Sequence, residues 1–172
     1  MILRFGVFFD GTGNNQHNVM PTESNGGKGA SYTNALSNVA LLHALYPAEG
    51  ASGDGAMAFL SRYVQGVGTL EGAEDHAYAS ATGRGRTGVE ARVTEALEGI
   101  AGQLRDWAHA HPLTRLEGVE FDLFGFSRGA AAVRHLANLL YADGGRVLAV
   151  TCDITINFIG PVSYTHLRAH ET

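Results

Sequence analysis

An apolar run leads directly into a serine flanked by glycines in Val119-Glu120-Phe121-Asp122-Leu123-Phe124-Gly125-Phe126-Ser127-Arg128-Gly129. The run predicts a buried strand over 119–126, and the alanine-rich residues 128–141 predict a helix behind it. The turn between them matches G-x-S-x-G, in which the serine is exposed and the glycines let strand and helix approach closely. Ser127 is therefore a candidate nucleophile. The alternative is a turn that serves packing alone, with Ser127 as the N-cap of the helix.

A second apolar run opens the chain and predicts a buried strand over 1–9, followed by a polar loop that begins Asp10-Gly11-Thr12. A nucleophilic serine needs backbone amides to hold the negative oxygen that its attack on a carbonyl creates. The amide of Arg128, at the start of the helix behind Ser127, is one candidate. Gly11 and Thr12 are candidates for a second, because their loop follows an earlier strand. The alternative is a polar loop capped by Asp10.

The remaining patterns alternate between strand and helix. Apolar spacing predicts a helix over 33–46, a strand over 59–67, a long helix over 89–108 behind a capping box at Thr87–Glu90, a helix stop at 143–145, and one or two strands over 147–159. This order predicts an α/β fold with a mainly parallel sheet and helices on both faces. Ligands bind beyond the carboxyl ends of such strands, so we expect the loops after Phe9, Val67 and Phe126 to share one edge.

The composition excludes several function classes. The chain has 172 residues, with 12 lysines and arginines against 17 aspartates and glutamates, and its formal charge is −5. This balance gives no basic patch for a nucleic acid. The single cysteine, Cys152, can form neither an internal disulfide nor a cysteine-based zinc site. No apolar run approaches the roughly 20 residues of a bilayer-spanning helix, so we expect no transmembrane segment.

The sequence also argues against a cofactor or a metal. Residues 83–88 match the dinucleotide pattern G-x-G-x-x-G, but polar residues precede them where that motif requires a strand. The histidines before Ser127 have no metal-ligand spacing on one helical face: His17, His43, His76, His109 and His111. We therefore expect neither a cofactor nor a metal site.

A catalytic serine on such a turn needs a histidine base and an acid that orients it, and both follow the serine in chain order. His135 lies two turns along the helix behind Ser127, too far for its imidazole to reach back. Asp143 and Asp153 are available acids, but each is explained equally well as a turn residue. We expect the base to be absent from this chain.

The last residues, 161–172, show neither helical nor strand periodicity and look like translated adapter read-through. We expect them to be a non-native tail, so the histidines within them are not candidates for the base. Residues 1–160 are then a partial catalytic domain that is truncated at its C-terminus.

Four motifs, in order, resemble one known family. They are Phe8-Phe9-Asp10-Gly11-Thr12-Gly13-Asn14-Asn15, Tyr63-Val64-Gln65-Gly66-Val67-Gly68-Thr69, the glycine-rich helix start at 83–93, and Gly125-Phe126-Ser127-Arg128-Gly129-Ala130. Together they resemble the bacterial hydrolases long catalogued as an uncharacterised α/β-hydrolase domain. That family includes phospholipase effectors delivered by type VI secretion.

The resemblance implies an α/β-hydrolase-like fold and a serine ester hydrolase similar to phospholipases and lipases. Ser127 would be its nucleophile, and the Asp10 loop would be part of the site. An ester or phospholipid would be the substrate, and a secretion-machinery component or an immunity protein would be the partner. We expect the protein in the cytoplasm of the producing cell, or secreted without a signal peptide. The alternative function is a non-catalytic α/β module of a secreted effector, used in binding or assembly.

Overall fold

The computed structural model describes residues 1–19, 29–47, 50–51, 55–148 and 152–158, and the predicted tail at 161–172 lies outside them. The elements in chain order are β1 (Ile2–Phe9), α1 (Ala30–Thr33), α2 (Asn38–Leu45), β2 (Gly50–Ala51), β3 (Met57–Val64), α3 (Ala77–Thr82), α4 (Val89–Ala110), β4 (Gly118–Gly125), α5 (Arg128–Val147) and β5 (Asp153–Phe158). The described strands form one sheet in the order β2-β3-β1-β4-β5. β3, β1, β4 and β5 are parallel, and β2 is antiparallel to β3. The predicted α/β fold with a mainly parallel sheet is confirmed.

β1 lies at the centre of the sheet because its residues are apolar on both faces. The side chains that form the larger core alternate along it: Leu3, Phe5, Val7 and Phe9. The buried stripes of α4 and α5 cover this face, from Val93 to Trp107 and from Ala132 to Leu140. Burying each large apolar side chain contributes about 1.5–3 kcal/mol, so this face holds the sheet and both long helices together.

The opposite face of the sheet carries α2 and a polar cluster. Phe8 stacks on Phe124 with ring centroids 4.4 Å apart, and Tyr46 meets Phe8 edge-on at 5.3 Å. The buried Asp122 carboxylate accepts from Arg4 Nε at 2.7 Å and from the Tyr46 hydroxyl at 2.8 Å. Burial and the Asp122 carboxylate raise the pKa of Tyr46, so its hydroxyl remains a donor. Helices therefore lie on both faces, as predicted.

Two predicted boundaries are wrong because loop contacts shorten the elements. β3 ends at Val64 rather than at residue 67, since the Gly66 amide donates to the Asn14 carbonyl at 2.9 Å. α2 begins at residue 38 rather than at 33, because Ser37 Oγ accepts the Ala40 amide at 3.1 Å and caps the helix. The short elements α1, α3 and β2 were not predicted.

Of the two predicted ends of the long helices, the start of α4 differs in its capping and the stop of α5 is marked by a break. No side chain caps α4, so the predicted capping box is wrong: Thr87 is buried, and its carbonyl accepts the Gly68 amide at 3.0 Å. The predicted stop at 143–145 coincides with a break in α5 at Asp143, whose φ of −157° and ψ of 34° are not helical, and a second helical stretch then runs to Val147. Within the described part of 147–159, the predicted strand is β5.

Candidate active site

Ser127 occupies the turn between β4 and α5 with φ 55° and ψ −125°, and among the described residues it is the one non-glycine with a positive φ. A side chain in this region of backbone space is strained, at about 1–3 kcal/mol, and persists only where its surroundings enforce it. Its side chain is exposed and makes no capping hydrogen bond to α5. The structure thus shows the strand-turn-helix that the motif predicts, without the N-cap interaction of the alternative interpretation.

The two glycines of the motif bring the helix against the sheet. A Cβ on Gly129 would lie 2.5 Å from the carbonyl oxygens of both Phe9 and Asp10, and a Cβ on Gly125 would lie 2.6 Å from the Gly129 oxygen. These are backbone atoms, which cannot swing aside as a flexible side chain would. The close approach fixes the start of α5 against the end of β1, and so places Ser127 beside the Asp10 loop.

Asp10 is only 2% exposed and anchors that loop through its carboxylate. Its Oδ1 accepts the Gly11 amide at 2.7 Å, and its Oδ2 accepts the hydroxyls of Ser37 and Tyr63, both at 2.6 Å. Burial and this carboxylate raise the pKa of Tyr63, so the hydroxyl remains a donor. Three hydrogen bonds satisfy the buried charge. The geometry gives Asp10 the capping role that the alternative interpretation of the loop assigned to it.

The backbone amides of the three predicted donors differ in availability. The Gly11 amide is engaged by Asp10. The amides of Thr12 and Arg128 have no hydrogen-bond partner among the described residues. The three predicted oxyanion donors are thus reduced to two, the amides of Thr12 and Arg128, which no described residue occupies.

The loop after β3 joins the same edge, as predicted. The Gly13 amide donates to the Val67 carbonyl at 3.1 Å, and Asn15 Nδ2 donates to Gln65 Oε1 at 2.8 Å. Gly66 packs so closely on the Gly11 carbonyl that no Cβ would fit. The loops after β1, β3 and β4 therefore meet at the carboxyl end of the sheet.

Arg92, on α4, supports this assembly and was missed from the sequence. The residue is buried, and its side chain donates to the Thr69 carbonyl and pairs with Glu95. The signal that could have identified it is its spacing of three from Val89 and four from Ala96, which puts it on the apolar stripe of an amphipathic helix. A buried guanidinium there needs acceptors, and the turn after β3 supplies one.

The Arg128 side chain crosses the site rather than extending into solvent. Its Nε donates to Thr12 Oγ1 at 2.8 Å, and its Cδ would lie 3.4 Å from a Cβ on Gly83. Gly83 has φ 72° and ends α3, so the G-x-G-x-x-G segment follows a helix rather than the strand that a dinucleotide motif needs.

Among the described residues, no histidine or carboxylate forms a hydrogen bond with Ser127 Oγ. His135 is exposed on α5. His43 Nε2 lies 3.3 Å from Ser61 Oγ, but this pair is on β3 and the face of α2, not at the turn. Burial, with a smaller contribution from His17, lowers the pKa of His43.

Two properties hold over the described ranges as a whole. No cluster of three histidine, cysteine, aspartate or glutamate side chains could hold a metal ion there. Nor does any helix in the same ranges combine the length and the hydropathy of a membrane span.

A family model matches most of the chain. The family is described as T6SS, Phospholipase effector Tle1-like, catalytic domain, and the match covers residues 4–145. The matched segment includes the Asp10 loop, the turn after β3 and the Ser127 turn. No curated protein and no solved structure matches the chain.

Proposed function

The chain belongs to the family of Tle1-like type VI secretion phospholipase effectors, and the match lies in their catalytic domain. From this premise we propose that the chain is a serine ester hydrolase acting on phospholipids. Ser127 Oγ is the nucleophile. It attacks the acyl carbonyl of the lipid ester, the lysolipid alcohol leaves, and water then releases the fatty acid from the acyl-serine.

The observation that carries the proposal is the strained Ser127 backbone, whose hydroxyl makes no hydrogen bond to the residues that the structure describes. A packing turn gains nothing from a serine at φ 55°, since glycine adopts that conformation without strain. A nucleophile gains exposure of its hydroxyl at the end of the sheet. The alternative, a non-catalytic module used in binding or assembly, gives this strain no purpose.

The oxyanion is held by the open amides of Arg128 and Thr12. Each donor of this kind typically contributes about 10²–10³ in turnover, because it is already in place when the charge develops. Asp10 positions the Thr12 amide by holding the start of the loop. The mechanism also requires a base and an orienting acid, which we place outside the described residues.

Fatty-acid release from a short-chain phosphatidylglycerol tests the proposal, in buffer and with added imidazole as an external base. The Ser127→Ala variant should fall to background. The matched control is Ser61→Ala, which removes the serine that already contacts a histidine; it should act like the unmodified protein. Equal release by Ser127→Ala and the unmodified protein would refute the nucleophile. If the unmodified protein and both variants release no fatty acid, with or without imidazole, the non-catalytic module would be favoured.

A further inference from the structure

The Arg128 guanidinium is held in a defined place beside Ser127. Its Nε donates to Thr12 Oγ1 at 2.8 Å, and its aliphatic part packs over Gly83 at the end of α3. The side chain is half-buried between the loop after β1 and the end of α3. An ordinary surface arginine would extend into water, so this one is oriented before any ligand arrives.

The positive charge of Arg128 has no carboxylate within ion-pair distance among the described residues. Arg4 and Arg92, by contrast, are paired with Asp122 and Glu95. Nε is occupied by Thr12, and neither Nη group donates a hydrogen bond to a residue within the described ranges. A half-buried guanidinium with free, fixed donors is suited to an anionic group.

We propose that the Nη groups of Arg128 bind the phosphate of a glycerophospholipid while Ser127 faces one of its acyl esters. The inference rests on the proposed function and names what its site recognises. Arg128 Nε donates to Thr12 Oγ1 at 2.8 Å, and the Thr12 amide is a proposed oxyanion donor, so the guanidinium lies beside the place where Ser127 would meet an ester. In a glycerophospholipid the phosphate and the ester carbonyl are likewise separated by only the glycerol carbons. A neutral acylglycerol has no anionic group for the guanidinium to bind.

Binding, measured without turnover, tests this recognition. The Ser127→Ala protein is titrated by calorimetry with dihexanoylphosphatidylglycerol, with dihexanoylglycerol, and with glycerol 3-phosphate. Adding Arg128→Gln should weaken binding of the phospholipid about tenfold or more, the range expected for a lost charge-assisted hydrogen bond. It should leave dihexanoylglycerol binding unchanged, which also shows that the variant is folded. The matched control is Arg134→Gln, which removes an exposed arginine of the same helix and should change neither.

Arg128→Lys supplies a second variant that keeps the charge but not the fork of donors. It should bind the phospholipid more tightly than Arg128→Gln and more weakly than the arginine protein. The proposal is overturned if Arg128→Gln leaves phospholipid binding unchanged, or weakens binding of both lipids equally. Glycerol 3-phosphate that binds as tightly as the phospholipid would overturn a lipid source for the phosphate. Failure of the nucleophile assignment is distinguishable, because it leaves the arginine-dependent binding intact.

Discussion

Replacement of Ser127 by glycine should stabilise the protein while it removes the proposed nucleophile. Serine at φ 55° and ψ −125° costs about 1–3 kcal/mol, and glycine relieves that cost. Glycine also makes the unfolded chain more flexible, which offsets about 0.4–1 kcal/mol of the gain. Ser127→Ala keeps the Cβ and therefore the strain. The glycine variant should accordingly unfold with a free energy about 1 kcal/mol higher than that of the alanine variant.

Urea denaturation followed by circular dichroism measures this difference, and equal m-values for the two variants would show that their unfolded states are comparable. In thermal unfolding, about 1 kcal/mol corresponds to a rise of roughly 2–4 °C for a chain of this size. An alanine variant that is as stable as the glycine variant, or more stable, would refute the reasoning. In that case the turn would store no strain, and the main support for Ser127 as the nucleophile would be lost.

Three further perturbations have defined outcomes. Gly129→Ala places a Cβ 2.5 Å from two backbone oxygens and should lower the unfolding free energy by about 1–3 kcal/mol, measured by urea denaturation; an unchanged value would mean that α5 can move away freely. Arg92→Met leaves the Thr69 carbonyl without its donor. Because Arg92 acts through the loops, the variant should lower kcat for fatty-acid release by a larger factor than it raises KM. A change in KM alone would contradict a positioning role. The folded protein lowers the pKa of His43, so the contribution of His43 to stability is present above its pKa in the unfolded chain, about 6.5, and is lost as pH falls through the lower pKa of the folded state. The unfolding free energy should therefore fall less steeply between pH 7 and 5 in His43→Gln than in the unmodified protein. Equal slopes would exclude His43 as a source of the pH dependence.

The sequence was sufficient for the parts of the fold that local patterns determine. The apolar run before Gly125 and the alanine-rich segment after Arg128 each favour one element strongly, and the glycines leave only a tight turn between them. The alternation of strands and helices then implied the parallel sheet and the shared edge. These inferences needed no knowledge of distant contacts.

The parts that could not be predicted depend on partners far along the chain. The local contact of Asp10 with the Gly11 amide agrees with the loop cap that the sequence suggested, but the hydroxyls of Ser37 and Tyr63 that also bind its carboxylate are distant in sequence and could not be read from the loop. Thr87 has the spacing of a helix cap, yet it is buried against the turn after β3. Tertiary packing overrode the local signal there, as it often does for weak end preferences.

The nucleophile assignment is tested most directly by locating the adduct that a fluorophosphonate probe forms with the protein when imidazole is added as the external base. After reaction and proteolysis, mass spectrometry should find the phosphonyl group on the peptide that contains Ser127, and the Ser127→Ala variant should carry none. The Ser61→Ala control should be modified as fully as the unmodified protein. An adduct on any other serine, or equal labelling of Ser127→Ala, would contradict the account.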